Sequence, residues 1–178
     1  MSGQCETAFD KTTTPIVVRT ILDTSEWLKL SNRRYVSFWS DSTGNHIGIT
    51  SEGLSFDIIN KQFGVSLDKT EDFLKEGVDY TVKIGDEIAG VSVKRIISNS
   101  PTTKKFFDVI SEANSEIVQK NNGRWSYNII HILVKNDDEV KLAEEGVESL
   151  LDTPHAIEDI TNFKVIITKV PDYLMKVE

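Results

Sequence analysis

The sequence predicts an α+β fold: a mixed sheet with N-terminal antiparallel hairpins, a C-terminal β-α-β unit, and two main helices packed on the sheet. Three observations carry that expectation. Short alternating apolar runs in the first half are separated by turn residues, as hairpins require. One long segment between Ser100 and Gly123 repeats apolar residues every three or four positions. Beyond it an apolar strand, a second amphipathic stretch and another apolar strand follow in order, the pattern of a crossover between parallel strands.

Taken in order, residues 1–14 form a flexible polar arm and residues 15–178 a single α+β domain, a length suited to one core. Ile16 to Leu22 is β-branched and reads as the first strand. Arg34 to Trp39 alternates, Asp41 to Asn45 supplies a turn, and His46 to Thr50 returns, which makes the first hairpin. Leu54, Phe56 and Ile58 alternate as well, so Leu54 to Ile59 is assigned to a strand, although Leu54, Ile58 and Phe63 also suit a short helix. Thr70 or Asp68 caps a short helix that Gly77 stops. Tyr80, Val82 and Ile84, then Val91 and Val93, flank the turn Gly85-Asp86-Glu87 and give a second hairpin, with a bulge expected near Arg95.

The first main helix takes Ser100 as its N-cap and Pro101 as its first residue, with Phe106, Ile110, Ala113 and Ile117 on its buried stripe. Tyr127 to Val134 is apolar on both faces and belongs in the middle of the sheet. Asn136 and Glu139 open the second helix with a box-like cap, and Val140, Ala143, Val147, Leu150 and Leu151 form its inner side. Pro154 ends it, and Phe163 to Val170 is the last strand.

Charge is distributed very unevenly. From Asn136 to Ile160 nine acids face one base, Lys141, which accounts for the whole formal charge of −8. Such a patch steers encounter with a basic partner. The acids expected to dock one are Asp137, Asp138, Glu144, Glu145, Glu148 and Asp152; the bland alternative is a solvated helix surface.

Other chemistry finds less support. Cys5 is the only cysteine, so an intrachain disulfide and a cysteine metal cluster are excluded. His46, His131 and His155 lack metal-ligand spacing, and His131, between Ile130 and Ile132, fits a core histidine. No nucleophile elbow or phosphate-cradling glycine loop is present. Aromatics beside bases, such as Arg124 with Trp125, suit stacking on single strands, but no basic stripe accompanies them. Trp27, Trp39 and Trp125 are candidate interface anchors.

The function expected from these features is a small acidic inhibitor, an immunity protein or antitoxin that covers the active surface of a basic, nuclease-like toxin. It is expected to act without catalysis, metal or cofactor, and without direct contact with nucleic acid or membrane. A cytoplasmic setting follows from the single cysteine and the missing signal pattern. The competing expectations are an enzyme with a site assembled from distant residues around His131 or His46, and a structural or regulatory adaptor.

Overall fold

The computed structural model describes residues 17–21, 51–52, 55–56, 58–60, 66–67, 77–96, 100–153, 155–156, 158 and 163–169. The expected arm, the hairpin at residues 34–50, the helix at residues 70–75, and His46, Trp27 and Trp39 lie outside them.

Among the described residues, six strands form one mixed sheet: β1 (Val17–Ile21), β2 (Ser66–Leu67), β3 (Tyr80–Ile84), β4 (Glu87–Arg95), β5 (Tyr127–Val134) and β6 (Phe163–Lys169), in the order β1-β6-β5-β4-β3-β2. The pairs β2·β3 and β3·β4 are antiparallel; β4·β5, β5·β6 and β1·β6 are parallel. The expected α+β class therefore holds, and the β-α-β unit at the C-terminus is preceded by a second one. Helix α1 (Thr103–Asn121) joins β4 to β5, and α2 (Asp137–Asp152) joins β5 to β6.

The two helices share one face of the sheet. Phe106, Ile110, Ala113 and Ile117 of α1 and Ala143, Val147 and Leu150 of α2 pack with Ile130, Ile132, Val134, Phe163, Val165 and Ile167. Alternation sends Ile129, His131, Leu133 and Ile166 to the opposite face, where they too are buried. A strand covered on both sides has no polar side to show, and all eight residues of β5 are buried.

Part of that second cover is a correction to the sequence reading. The described residues between 51 and 60 are helical, not a strand. Ser55, Phe56, Ile58 and Ile59 are buried while Asn60 is exposed, a helical spacing in which burial does not alternate. Phe56 meets the Tyr80 ring edge-on at 5.8 Å between centroids, so the segment packs against the hairpin.

Two smaller expectations also shift. Helix α1 is capped by Thr102, whose hydroxyl accepts from the Lys105 N–H at 3.2 Å, two residues later than expected. The bulge expected near Arg95 is not found: β4 pairs one-to-one with β5 from Ala89↔Tyr127 to Arg95↔Leu133.

Close approaches explain two glycines. A Cβ on Gly146 would lie 3.0 Å from Phe106 Cβ and 3.1 Å from the Phe107 backbone nitrogen, so its absence lets α2 lie tight on α1. A Cβ on Gly90 would lie 2.8 Å from the Trp125 ring. Trp125 is therefore buried in the core, with its indole N–H donating to Asn128 Oδ1 at 2.9 Å, and is no interface anchor.

Candidate functional site

Asp79 sits in the turn before β3. Its backbone N–H donates to the Val91 carbonyl at 2.9 Å, and its carboxylate accepts from the Val93 N–H at 2.6 Å, which anchors it to the end of β4. Glu52, one of the helical residues between 51 and 60, hydrogen-bonds to the Asp79 side chain. The residue after Val93 is Lys94, whose ammonium acts on Asp79 electrostatically. Two separate pieces of chain thus bring two carboxyl groups together where β3 begins and β4 ends, within the field of the Lys94 charge.

The electrostatics follow from that crowding. Burial pushes Glu52 up to about 8, helped by the Asp79 charge and by the hydrogen bond to Asp79. Asp79 is also raised by burial, and Glu116 adds to the rise, while the Val93 N–H, Lys94 and the Glu52 hydrogen bond pull it down. Glu52 accordingly holds the proton and donates it to the Asp79 carboxylate. Two acids sharing one proton are the arrangement from which acid–base roles separate.

A second polar group lies deeper. Ser55 Oγ is 2.7 Å from Tyr80 Oη and 2.6 Å from His131 Nδ1, and His131 Nε2 is 2.8 Å from Thr168 Oγ1. His131 is fully buried, and burial lowers its pKa to about 3, so the ring is neutral. The serine–histidine contact resembles a nucleophile with its base, yet Ser55 has no exposed surface through which to meet a substrate. This is the satisfied core histidine that the sequence suggested, here with both nitrogens engaged.

The acids of α2 turn out to do different things. Asp137 is exposed and lies 3.0 Å from Lys169 Nζ. Glu145 is half-buried and accepts from Thr103 Oγ1 of α1 at 3.0 Å, and Glu144 is half-buried as well. Asp138, Glu148 and Asp152 are exposed, and among the described residues no ion pair neutralises them. Lys141 is exposed on the same helix. The docking surface expected from six carboxylates thus keeps four exposed ones, of which Asp137 is paired with Lys169. Between the start of α1 and the end of α2 runs an open groove of about 450 Å3 lined by Thr103, Lys104, Phe107 and Ser149, and none of these four is a carboxylate or histidine.

Sequence reasoning did not single out Glu52, Asp79 or Lys94. Their separations fit no short motif, and only the fold assembles them. No described helix is long and apolar enough to cross a membrane. Compared with protein-family models, with curated proteins and with solved structures, the chain matches none of them.

Proposed function

We propose that this chain is an enzyme that hydrolyses phosphodiesters, with its site at Glu52, Asp79 and Lys94. The observation that carries the reading is the hydrogen-bonded Glu52–Asp79 pair with the Lys94 charge acting on it. A carboxyl pair alone would suit hydrolysis of a neutral amide; a lysine charge acting on the pair favours an anionic substrate instead. The location agrees, because Lys94 and Arg95 lie at the carboxyl end of β4, and ligands of parallel sheets gather at such ends.

A divalent cation in place of the shared proton would let both carboxyl groups ionise at neutral pH. Oxygen donors of this kind suit Mg2+, which takes one or two carboxylates and completes its shell with water and substrate phosphate. Among the described residues no three His, Cys, Asp or Glu side chains gather, so water and substrate would supply the remaining ligands. When bound, the cation polarises the phosphoryl oxygen and lowers the pKa of the attacking water. Asp79, fixed by the Val93 N–H, and Glu52 would hold it, and Lys94 would offset the charge that builds on the phosphoryl group. This reading departs from the sequence expectation of a protein without metal.

The test is incubation of the full chain with Mg2+ or Mn2+ and labelled single-stranded DNA, duplex DNA and RNA. Cleavage abolished by chelation is expected, and Glu52→Gln, Asp79→Asn and Lys94→Met should each lower the rate by about 100-fold or more, the size of losing one charge-stabilising group. Variants that cut at the wild-type rate would rule out the site; intact strands under every condition would rule out the reaction.

One observation favours a second reading, the immunity protein or antitoxin: Asp138, Glu148 and Asp152 are displayed on α2. Rim charges of this kind accelerate association in a salt-dependent way. The triple change Asp138→Asn, Glu148→Gln and Asp152→Asn should then abolish salt-sensitive capture of a basic toxin from the native cell while leaving folding stability within ~0.5 kcal/mol. Unchanged capture would remove this reading. Use of a single cysteine supports a cytoplasmic setting for either function.

A further inference from the structure

We propose that the hydrogen-bonded chain from Tyr80 through Ser55 and His131 to Thr168 is a clamp that fixes the separation of the Glu52 and Asp79 side chains, an inference that rests on reading those two as the functional pair. Tyr80 directly follows Asp79, and Ser55 lies three residues after Glu52, both of them helical. The Ser55–Tyr80 bond of 2.7 Å therefore spans the same gap as the carboxyl pair and joins the same two pieces of chain.

Ser55 is held from a second direction. Its Oγ lies 2.6 Å from His131 on β5, and His131 reaches Thr168 on β6 at 2.8 Å, so the helical stretch is referenced to the middle of the sheet. The Phe56 ring, edge-on to Tyr80, fixes the tilt of the tyrosine. Proton supply closes the chain. A neutral imidazole has one N–H and one acceptor nitrogen, so with each hydroxyl donating once the bonds run head to tail in either direction. Stability alone does not call for such an arrangement: apolar residues of similar volume in these fully buried positions would pack as well or better. What a satisfied polar network adds is a fixed geometry. Lys94 and Glu116 face Asp79 from β4 and α1, and neither belongs to the network.

The clamp makes Tyr80, Ser55 and His131 positioning residues, whose loss should weaken metal binding by about 10-fold, the lower end of what groups bonded directly to metal ligands contribute. The test uses the full chain with Mn2+ as probe, followed by electron paramagnetic resonance, together with the amide proton shift of Val93, which reports the Asp79 carboxylate without any metal. Tyr80→Phe, which keeps the ring against Phe56, and Ser55→Ala should each weaken Mn2+ binding by about 10-fold or more and move the Val93 signal. Val147→Ala, a cavity in the α1–α2 interface, should lower stability yet leave both readouts at wild-type values. If Tyr80→Phe keeps wild-type Mn2+ affinity and Val93 shift while Asp79→Asn loses Mn2+, the clamp is overturned and the site stands. If the wild type and Asp79→Asn bind Mn2+ equally, or neither binds it, the site and the clamp fall together.

Discussion

Glu139 reaches back from the first turn of α2 to the Lys135 N–H at 2.7 Å while its own N–H is capped by Asn136 Oδ1 at 2.9 Å. That reciprocal cap, with Lys135 Nζ at 3.7 Å, gives a buried carboxylate its partners. Glu145 ties α2 to α1 through Thr103, Asp137 leans on Lys169, and Glu158 at the far end accepts from Ser115 Oγ at 3.4 Å. Four of the nine acids thereby have partners in the fold, which lowers the weight that nine acids against one lysine first carried. Glu52 and Asp79 are the opposite case. In sequence each is one acid among 28, and nothing in composition sets them apart. Their altered acidity arises from burial and from each other, properties that exist only once distant segments meet. The cap at Asn136 could be read from sequence because its partner is three residues away; the carboxyl pair could not, because its partners are brought together by packing.

At the scale of elements, Gly146 marks a close contact between α1 and α2. An added methyl would lie 3.1 Å from the Phe107 backbone nitrogen and 3.3 Å from the Thr103 carbonyl, and backbone atoms of a helix do not move aside singly. Gly146→Ala therefore forces α1 and α2 apart, an overpacking cost of about 1–3 kcal/mol against a gain of about 1 kcal/mol in helix propensity. We expect a net loss and a lower melting temperature, by roughly 2–4 °C for each kcal/mol in a chain of this length; thermal unfolding followed by circular dichroism measures it, and a higher melting temperature would refute the tight contact. The elements themselves were largely legible. Helices α1 and α2, the hairpin β3–β4 and the central place of β5 follow from periodicity, turn residues and a strand apolar on both sides. Residues 51–60 were misread because Leu54, Phe56 and Ile58 fit both periods, and only the burial of Ser55 and Ile59 separates them. The parallel β4–α1–β5 crossover went unnoticed because β4 looks like one arm of a hairpin; it is that arm and the start of a crossover at once.

For the whole molecule, Glu52 and His131 set opposing dependences of stability on pH. Glu52 rises from 4.5 to about 8 on folding, so between these values the folded chain holds a proton that the unfolded chain lacks, and stability is lost as pH climbs towards 8. His131 falls from 6.5 to about 3, so between these values the unfolded chain binds the extra proton, and stability is lost as pH drops towards 3. The two windows overlap from 4.5 to 6.5, where the slopes oppose each other and leave a plateau. A fully buried group such as His131 approaches the limit of about 1.4 kcal/mol per pH unit, whereas Glu52 retains contact with water and screening keeps its share below that limit. Asp79, also raised, acts in the same direction as Glu52 and softens the acid limb. Urea unfolding with chelator present, at intervals from pH 3.5 to 8.5, should therefore give a maximum on the plateau with a shallower decline on the alkaline side. Glu52→Gln should flatten the alkaline decline and leave the acid one in place, because the amide cannot titrate while His131 still does. Stability that rises from pH 6.5 to 8 in the wild type would mean that Glu52 is ionised in the folded chain, and the proton shared with Asp79 would have to be given up.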